Sequence, residues 1–248
     1  MLHFLPFFVK IKPEVNPMLD SLFEHYDNIV VLDTETTGIN HKTDEIIELA
    51  AIRATKNGIE DEMDLFIKLS EGRTLPPVIT ELTGITEQML TDEGVEKQEA
   101  CERFCEMLSH PRTLLAAFNA QFDFCFLYFF LAPFGKAHML KDMGLFDIMT
   151  VYKDRREYPH KLKNAIEAYG VEAVNSHRAV DDTKAALLVM EAMRLERDDL
   201  MRYRNLFGYH PKYGVSGPQI SSVRYLPQGY NRTTRLYEDI APENVSFF

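Results

Sequence analysis

The chain has 248 residues, 46% of them hydrophobic, with a formal net charge of -11. That length suits one domain with appendages and a core that needs no disulfides. The acidic balance argues at first against a polyanionic partner, but a carboxylate site that binds divalent cations would invert the local field, so net charge decides little. Three cysteines, Cys101, Cys105 and Cys125, lack the spacing of a zinc site or a disulfide framework. Reduced thiols and a cytoplasmic location are the expectation.

The apolar start, Met1 to Val9, lacks a basic leader, is interrupted by Pro6 and is followed closely by Lys10 and Lys12. It fits a docking segment better than a signal or a membrane span. Residues 13–27 carry Leu19, Leu22, Phe23 and Tyr26 at helical spacing. Ile29 to Leu32 is a β-branched apolar run of the kind that forms a buried strand. Glu45–Thr55 and Met63–Leu69 predict strands on either side of an Asn57-Gly58 hairpin turn. Pro76-Pro77 breaks the chain, and short helical turns follow around Thr83-Gly84. Gly94–Leu108 predicts an amphipathic helix, Thr113–Phe118 an apolar strand, Gln121–Leu131 a buried helix and Leu145–Val151 another strand. Lys161–Tyr169, closed by Gly170, and Arg178–Arg197 complete the helices. This β-β-β-α-β-α-β-α-α order implies a mixed sheet with helices on its faces. No internal repeat is evident. The expected divisions are an N-terminal extension at 1–27, a domain at 28–199 and a C-terminal tail at 200–248, which from Met201 reads as irregular chain rather than core. From Met201 to Tyr237 there is no acid, and Arg202, Tyr203, Arg204, Tyr209, Lys212, Tyr213, Arg224, Tyr225, Arg232 and Arg235 interleave cations with rings. Such a composition suits phosphates and bases, although a tail that merely wraps and neutralises the acidic domain fits it somewhat better.

The strand at Val30 runs into Asp33-Thr34-Glu35-Thr36-Thr37-Gly38. Residues i and i+2 of a strand share a face, so Asp33 and Glu35 project together. Their repulsion is relieved most simply by a hard divalent cation such as Mg²⁺. The plain alternative is an acidic strand end facing water. Asp123, in Asn119-Ala120-Gln121-Phe122-Asp123, is an acid in an apolar run, costly to bury unless paired, though it could simply complement a helix dipole. His177-Arg178-Ala179-Val180-Asp181-Asp182 opens the last helix. The unperturbed pKa of a histidine, about 6.5, suits His177 to take a proton from water, although a lone His at a helix start is more often a cap or surface residue. Asp181 could be the acidic member here, but Asp182 lies on the more apolar face of that helix.

Taken together, V-L-D-T-E-T-T-G, N-A-Q-F-D and H-R-A-V-D-D resemble, in order and spacing, the three motifs of the DEDDh 3′-5′ exonucleases. This is the family of the proofreading epsilon subunit of bacterial DNA polymerase III. Leu82-Thr83-Gly84-Ile85-Thr86 also resembles a segment common in the family, and the likeness covers about residues 28 to 197. The His five residues before Asp182 indicates the His-type branch; Phe118, where relatives often carry His, is a departure. The resemblance implies an α/β fold with a ribonuclease H-like mixed five-stranded sheet. It implies two divalent cations, Mg²⁺ or Mn²⁺, held by Asp33, Glu35, Asp123 and Asp182, with His177 taking a proton from the attacking water. It further implies release of nucleoside 5′-monophosphates from single-stranded DNA 3′ ends, in proofreading or repair, either alone or beside a DNA polymerase, with no membrane. Thr36, Thr37 and Gly38 would meet the last sugar, Asn119 and Phe122 would border the terminal nucleotide, and Leu82 and Thr83 would line the same pocket. The rivals are an RNA-trimming enzyme of the same fold and a non-catalytic nucleic-acid-binding module.

Overall fold

In the computed structural model, which describes residues 20–141, 143–173, 178–230, 232 and 234–240, a mixed sheet is built outward from its central strand. That strand, β1 (Asn28–Thr36), pairs antiparallel with β2 (Ile46–Thr55), which forms a hairpin with β3 (Gly58–Phe66). Gly58 takes a φ of +121° as the chain leaves the turn, a conformation open to glycine. On its other side β1 runs parallel to β4 (Thr113–Ala117), and β4 runs parallel to β5 (Gly144–Asp147). The five-stranded order is β3-β2-β1-β4-β5.

Ile29 to Leu32 have no exposed surface, and their period-two alternation divides the core into two layers. Ile29 and Val31 face one cluster, made with α6 (Ile148–Lys153), α7 (Leu162–Tyr169) and α8 (Ala179–Glu196). Val30 and Leu32 face the other, made with α4 (Lys97–Leu108) and α5 (Ala120–Leu131). The remaining helices are α1 (Asp20–Phe23), α2 (Pro77–Thr83) and α3 (Glu87–Asp92). Residues 1–19, and with them most of the helix expected at 13–27, lie outside the described residues. Among the described residues, no helix is long and apolar enough to cross a membrane.

Two local expectations change. The strand expected at Leu145–Val151 stops at Asp147, because the Asp147 carboxylate accepts the backbone N–H of Thr150 at 3.2 Å and starts α6. The segment after Met201, expected to be irregular and outside the core, carries a parallel pair of strands, β6 (Leu206–Tyr209) and β7 (Arg224–Pro227). Its Tyr203, Leu206 and Leu236 enter one core layer and Phe207 the other. Asn205 closes the free edge of the sheet, its N–H donating to the Leu145 carbonyl at 2.8 Å and its side-chain oxygen accepting from the Leu145 N–H at 2.7 Å.

Candidate active site

The site forms where β1 ends. Asp33 and Glu35 continue the alternation of Val31 and so face the α8 side of the sheet, and a register shift between Glu35 and Thr36 ends regular pairing with β2. The first turn of α8 brings Asp182 over the strand. Carboxylate oxygens of Asp33, Glu35 and Asp182 lie within 4.8 Å of one another. Asp123 arrives from α5. Asn119 takes a left-handed φ of +73° between β4 and α5, which turns the chain within one residue. The N–H groups of Asn119 and Ala120 both donate to Asp147 at 3.1 Å, fixing that turn. Asp123 then accepts from the backbone N–H of Thr34 at 3.1 Å and from its hydroxyl at 2.7 Å, so it abuts β1 between Asp33 and Glu35.

Burial first, then the charges of Asp123, Glu35, Asp182 and Glu48, hold the Asp33 carboxyl well above the usual range. Burial and the neighbouring Glu48, Asp182 and Asp123 push Glu35 up to about 8. Burial pushes Asp123 up to about 7 against the opposing hydrogen bonds from Thr34. Left to themselves, these acids resist ionising. An all-oxygen donor set of mutually repelling carboxyls is what a hard divalent cation satisfies, so the residues fit that group.

Thr36 and Thr37 are buried; the Thr36 hydroxyl bonds to the Gly38 carbonyl and that of Thr37 accepts from the Glu45 N–H at 2.9 Å. A Cβ on Gly38 would run into the Asp44 carboxylate. Asn119 is exposed, while Phe122 is half-buried and packs 4.9 Å from the Phe126 ring. Leu82 is exposed at the end of α2, and Thr83 is buried there with its hydroxyl donating to the Ile79 carbonyl at 2.9 Å. His177 lies outside the described residues.

Two supporting carboxylates had not been singled out from the sequence. Glu48, wholly buried on β2 opposite Glu35, accepts the Nε and Nη2 of Arg178 at 2.9 Å on one oxygen and the Ala179 N–H at 3.0 Å on the other. It thereby caps α8 in place of a side chain from the cap residue itself. The Arg178 guanidinium also lies 4.9 Å from the centre of the Phe66 ring. Asp147 is the second. An acid inside an otherwise apolar strand, as in Ile46-Ile47-Glu48-Leu49, is the signal that could have found Glu48.

Comparison with known proteins places these features in a family. A family model described as "Exonuclease", that of RNase T, matches residues 30–190. The DNA polymerase III PolC-type protein of Clostridium perfringens is 32% identical over 227 residues, covering 90% of this chain and 15% of that protein. That of Halalkalibacterium halodurans is 33% identical over 238 residues, covering 94% and 16%. The chain thus spans about one sixth of the length of these relatives. Among solved structures, the zinc-bound E. coli exonuclease I complex with single-stranded DNA superposes with a TM-score of 0.65 at 22% identity, covering 72% of this chain and 42% of that one. Exonuclease I of Methylocaldum szegediense gives 0.62 at 24% identity, covering 70% and 41%. These superpositions establish the shared fold, with its mixed five-stranded sheet flanked by helices. The family match over most of the chain, together with the three motifs, makes this protein a member of the DEDDh exonuclease family.

Proposed function

We propose that this protein is a divalent-metal-dependent 3′-5′ exonuclease that removes nucleoside 5′-monophosphates from single-stranded DNA 3′ ends, in proofreading or repair beside a bacterial-type replicative polymerase in the cytoplasm. The observation that carries the reading is the convergence of Asp33, Glu35 and Asp182, with Asp123 held against the same strand by Thr34. Mg²⁺ or Mn²⁺, held by these four carboxylates, would supply charge stabilisation for an in-line phosphoryl displacement. Kinship to PolC-type polymerases favours DNA over RNA.

The chain's own groups have separate tasks. Asp33, Glu35 and Asp182 bring carboxylate oxygens within 4.8 Å of one another and would be held ionised by a bound divalent cation. Asp123 contributes a further carboxylate and, through Thr34, fixes the end of β1. His177 is the general base, accepting the proton of the attacking water. Its neighbour Arg178 is fastened to Glu48. Thr36, Thr37 and Gly38 line the approach of the last sugar, Asn119 and Phe122 border the terminal nucleotide, and Leu82 and Thr83 close the pocket from α2.

The test is degradation of matched 5′-labelled single-stranded DNA and RNA with Mg²⁺, Mn²⁺ or EDTA, beside Asp33→Ala and His177→Ala. A metal-dependent ladder shortening from the 3′ end, faster on DNA and absent in both variants, is expected. Faster RNA cleavage would transfer the protein to the RNA-trimming class. No cleavage of either strand, with binding retained, would overturn the enzymatic reading in favour of a binding module.

A further inference from the structure

A continuous run of aromatic rings leads away from the carboxylates to the surface. Phe118 follows the Leu32–Ala117 pair of β1 and β4, which sets it beside Asp33 on the α8 side of the sheet. Its ring centre lies 6.3 Å from Tyr152, which lies 5.6 Å from His160, which stacks on Tyr230 at 5.8 Å. Tyr230 touches Tyr158 at 5.0 Å and His210 at 4.6 Å, and His210 lies 5.0 Å from Tyr213. The inner rings are buried and serve packing. The outer ones are not: Tyr158, Tyr230 and Tyr213 are 65%, 47% and 69% exposed.

Exposed aromatic rings are ordinary singly, whereas several gathered in one patch mark a surface that contacts something. These are also held in place. Gln228, two residues before Tyr230, donates to the Thr150 carbonyl at 2.9 Å and to Asp154 at 2.7 Å. The strap carrying Tyr213 is tied to the first turn of α5, because the Gln121 side chain donates to the carbonyls of Ser216 at 2.8 Å and Pro218 at 2.9 Å. That turn also carries Asp123, so strap and catalytic carboxylate share one support. The segment that carries Tyr213 and Tyr230 suits a polyanion, because residues 200–237 contain no acid; Glu157 adjoins Tyr158. Arg232 and Arg235 are engaged by Asp239 and Glu238, whereas Lys212, 5.0 Å from the centre of the Tyr213 ring, makes no ion pair among the described residues.

We propose that Tyr158, Tyr230 and Tyr213, with Lys212, form a stacking track for the unpaired bases of a single-stranded nucleic acid upstream of its 3′ end. The assignment of that end to the carboxylates rests on the exonuclease reading. Aromatic faces accept any base, so the track confers length dependence without sequence preference. It also favours unpaired strands, because a paired base has no free face to offer.

The experiment uses the full chain with Tyr213→Ala/Tyr230→Ala and the matching Phe pair, both checked by thermal melting. Affinity for 5′-fluorescent oligothymidylate of ~3 and ~15 nucleotides is measured by anisotropy in EDTA, and KM for both lengths is measured with Mn²⁺. The expected result is a loss of about tenfold or more in long-strand affinity for the Ala pair. The ratio of short- to long-strand KM should fall toward one in that variant, and the Phe pair should restore both. Long-strand affinity unchanged in the Ala pair would overturn the track and leave the rings to a protein partner. An equal loss for both lengths would overturn it in favour of general disruption. If the wild type cuts neither length, the exonuclease reading falls, while the metal-free binding comparison still decides the track.

Discussion

Replacing Glu48 by alanine tests whether the end of α8 is fastened from β2. The substitution removes the carboxylate that receives the Arg178 contacts at 2.9 Å and the Ala179 N–H at 3.0 Å. Removing one partner of a buried ion pair costs roughly 3–5 kcal/mol. Because the Arg178 side chain keeps 32% exposure and can rehydrate, the appropriate figure is lower, about 2–4 kcal/mol including the stranded N–H of Ala179. Glu48→Gln keeps the shape and one acceptor but turns an NH₂ group toward another donor, so its cost is about 1–2 kcal/mol. Urea unfolding in EDTA reads the stability, and kcat on single-stranded DNA with Mn²⁺, well below the unfolding midpoint, reads the positioning of Asp182 at the start of α8. The expected result is a graded loss of both, Gln milder than Ala, with kcat falling about tenfold or more in the alanine variant and KM little altered. A stability change within about 0.5 kcal/mol would refute the latch as a structural element. Full kcat in a destabilised but folded variant would refute its positioning role.

Three further outcomes follow from the same geometry. In the metal-free protein, Glu35 at about 8, Asp123 at about 7 and the raised Asp33 keep their protons to higher pH than in the unfolded chain. The stability they contribute is therefore complete below the ordinary carboxyl range and lost as pH rises through about 7 to 8, so Tm in EDTA should fall from about pH 5 to about pH 8. Mn²⁺ should reverse the fall, Asp33→Asn should flatten it, and a Tm that rises over this interval in EDTA would contradict the electrostatic account. Asp154→Ala strands the Tyr203 hydroxyl at 3.0 Å, Gln228 at 2.7 Å and the Leu236 N–H. It should cost about 2–4 kcal/mol and open the chain beyond Leu200 to limited proteolysis, and an unchanged digestion pattern would deny that Asp154 anchors the tail. Gly38→Ala drives a methyl group into the Asp44 carboxylate, which otherwise accepts the Asn40 N–H at 2.8 Å. A loss of about 1–3 kcal/mol with raised KM is expected, and wild-type melting with wild-type KM would show that this loop yields freely.

Much of this molecule is legible in its sequence because the informative patterns are local. The continuous β-branched apolar run of Ile29 to Leu32 is enough to predict a buried strand, and the period of two alone requires Asp33 and Glu35 to share a face. Asn57-Gly58 fixes the β2–β3 hairpin by backbone preference, and Gly170, at φ +61°, ends α7 where a helix stop was expected. The choice of Asp182 over Asp181 follows from helical spacing, and Asp182 is the member within reach of Asp33 and Glu35. By contrast, whatever depends on distant partners was decided by tertiary structure. The partner of Glu48 is 130 residues away, so nothing near it in the chain reveals that it caps α8. Asp147 looks like one more strand residue until the turn at Asn119 is folded against it. The segment after Met201 reads as irregular because its strands, β6 and β7, have only four residues each. Their order comes from long-range anchors, the edge of β5 and the buried Asp154 carboxylate, rather than from any periodicity of their own. A local apolar run thus determined the buried strand, and the strand period the facing of its acids. Only the burial of far-separated polar groups against one another decided how α8, the β4–α5 turn and the C-terminal segment are held around them, because a buried charge is satisfied by whichever partner the fold delivers.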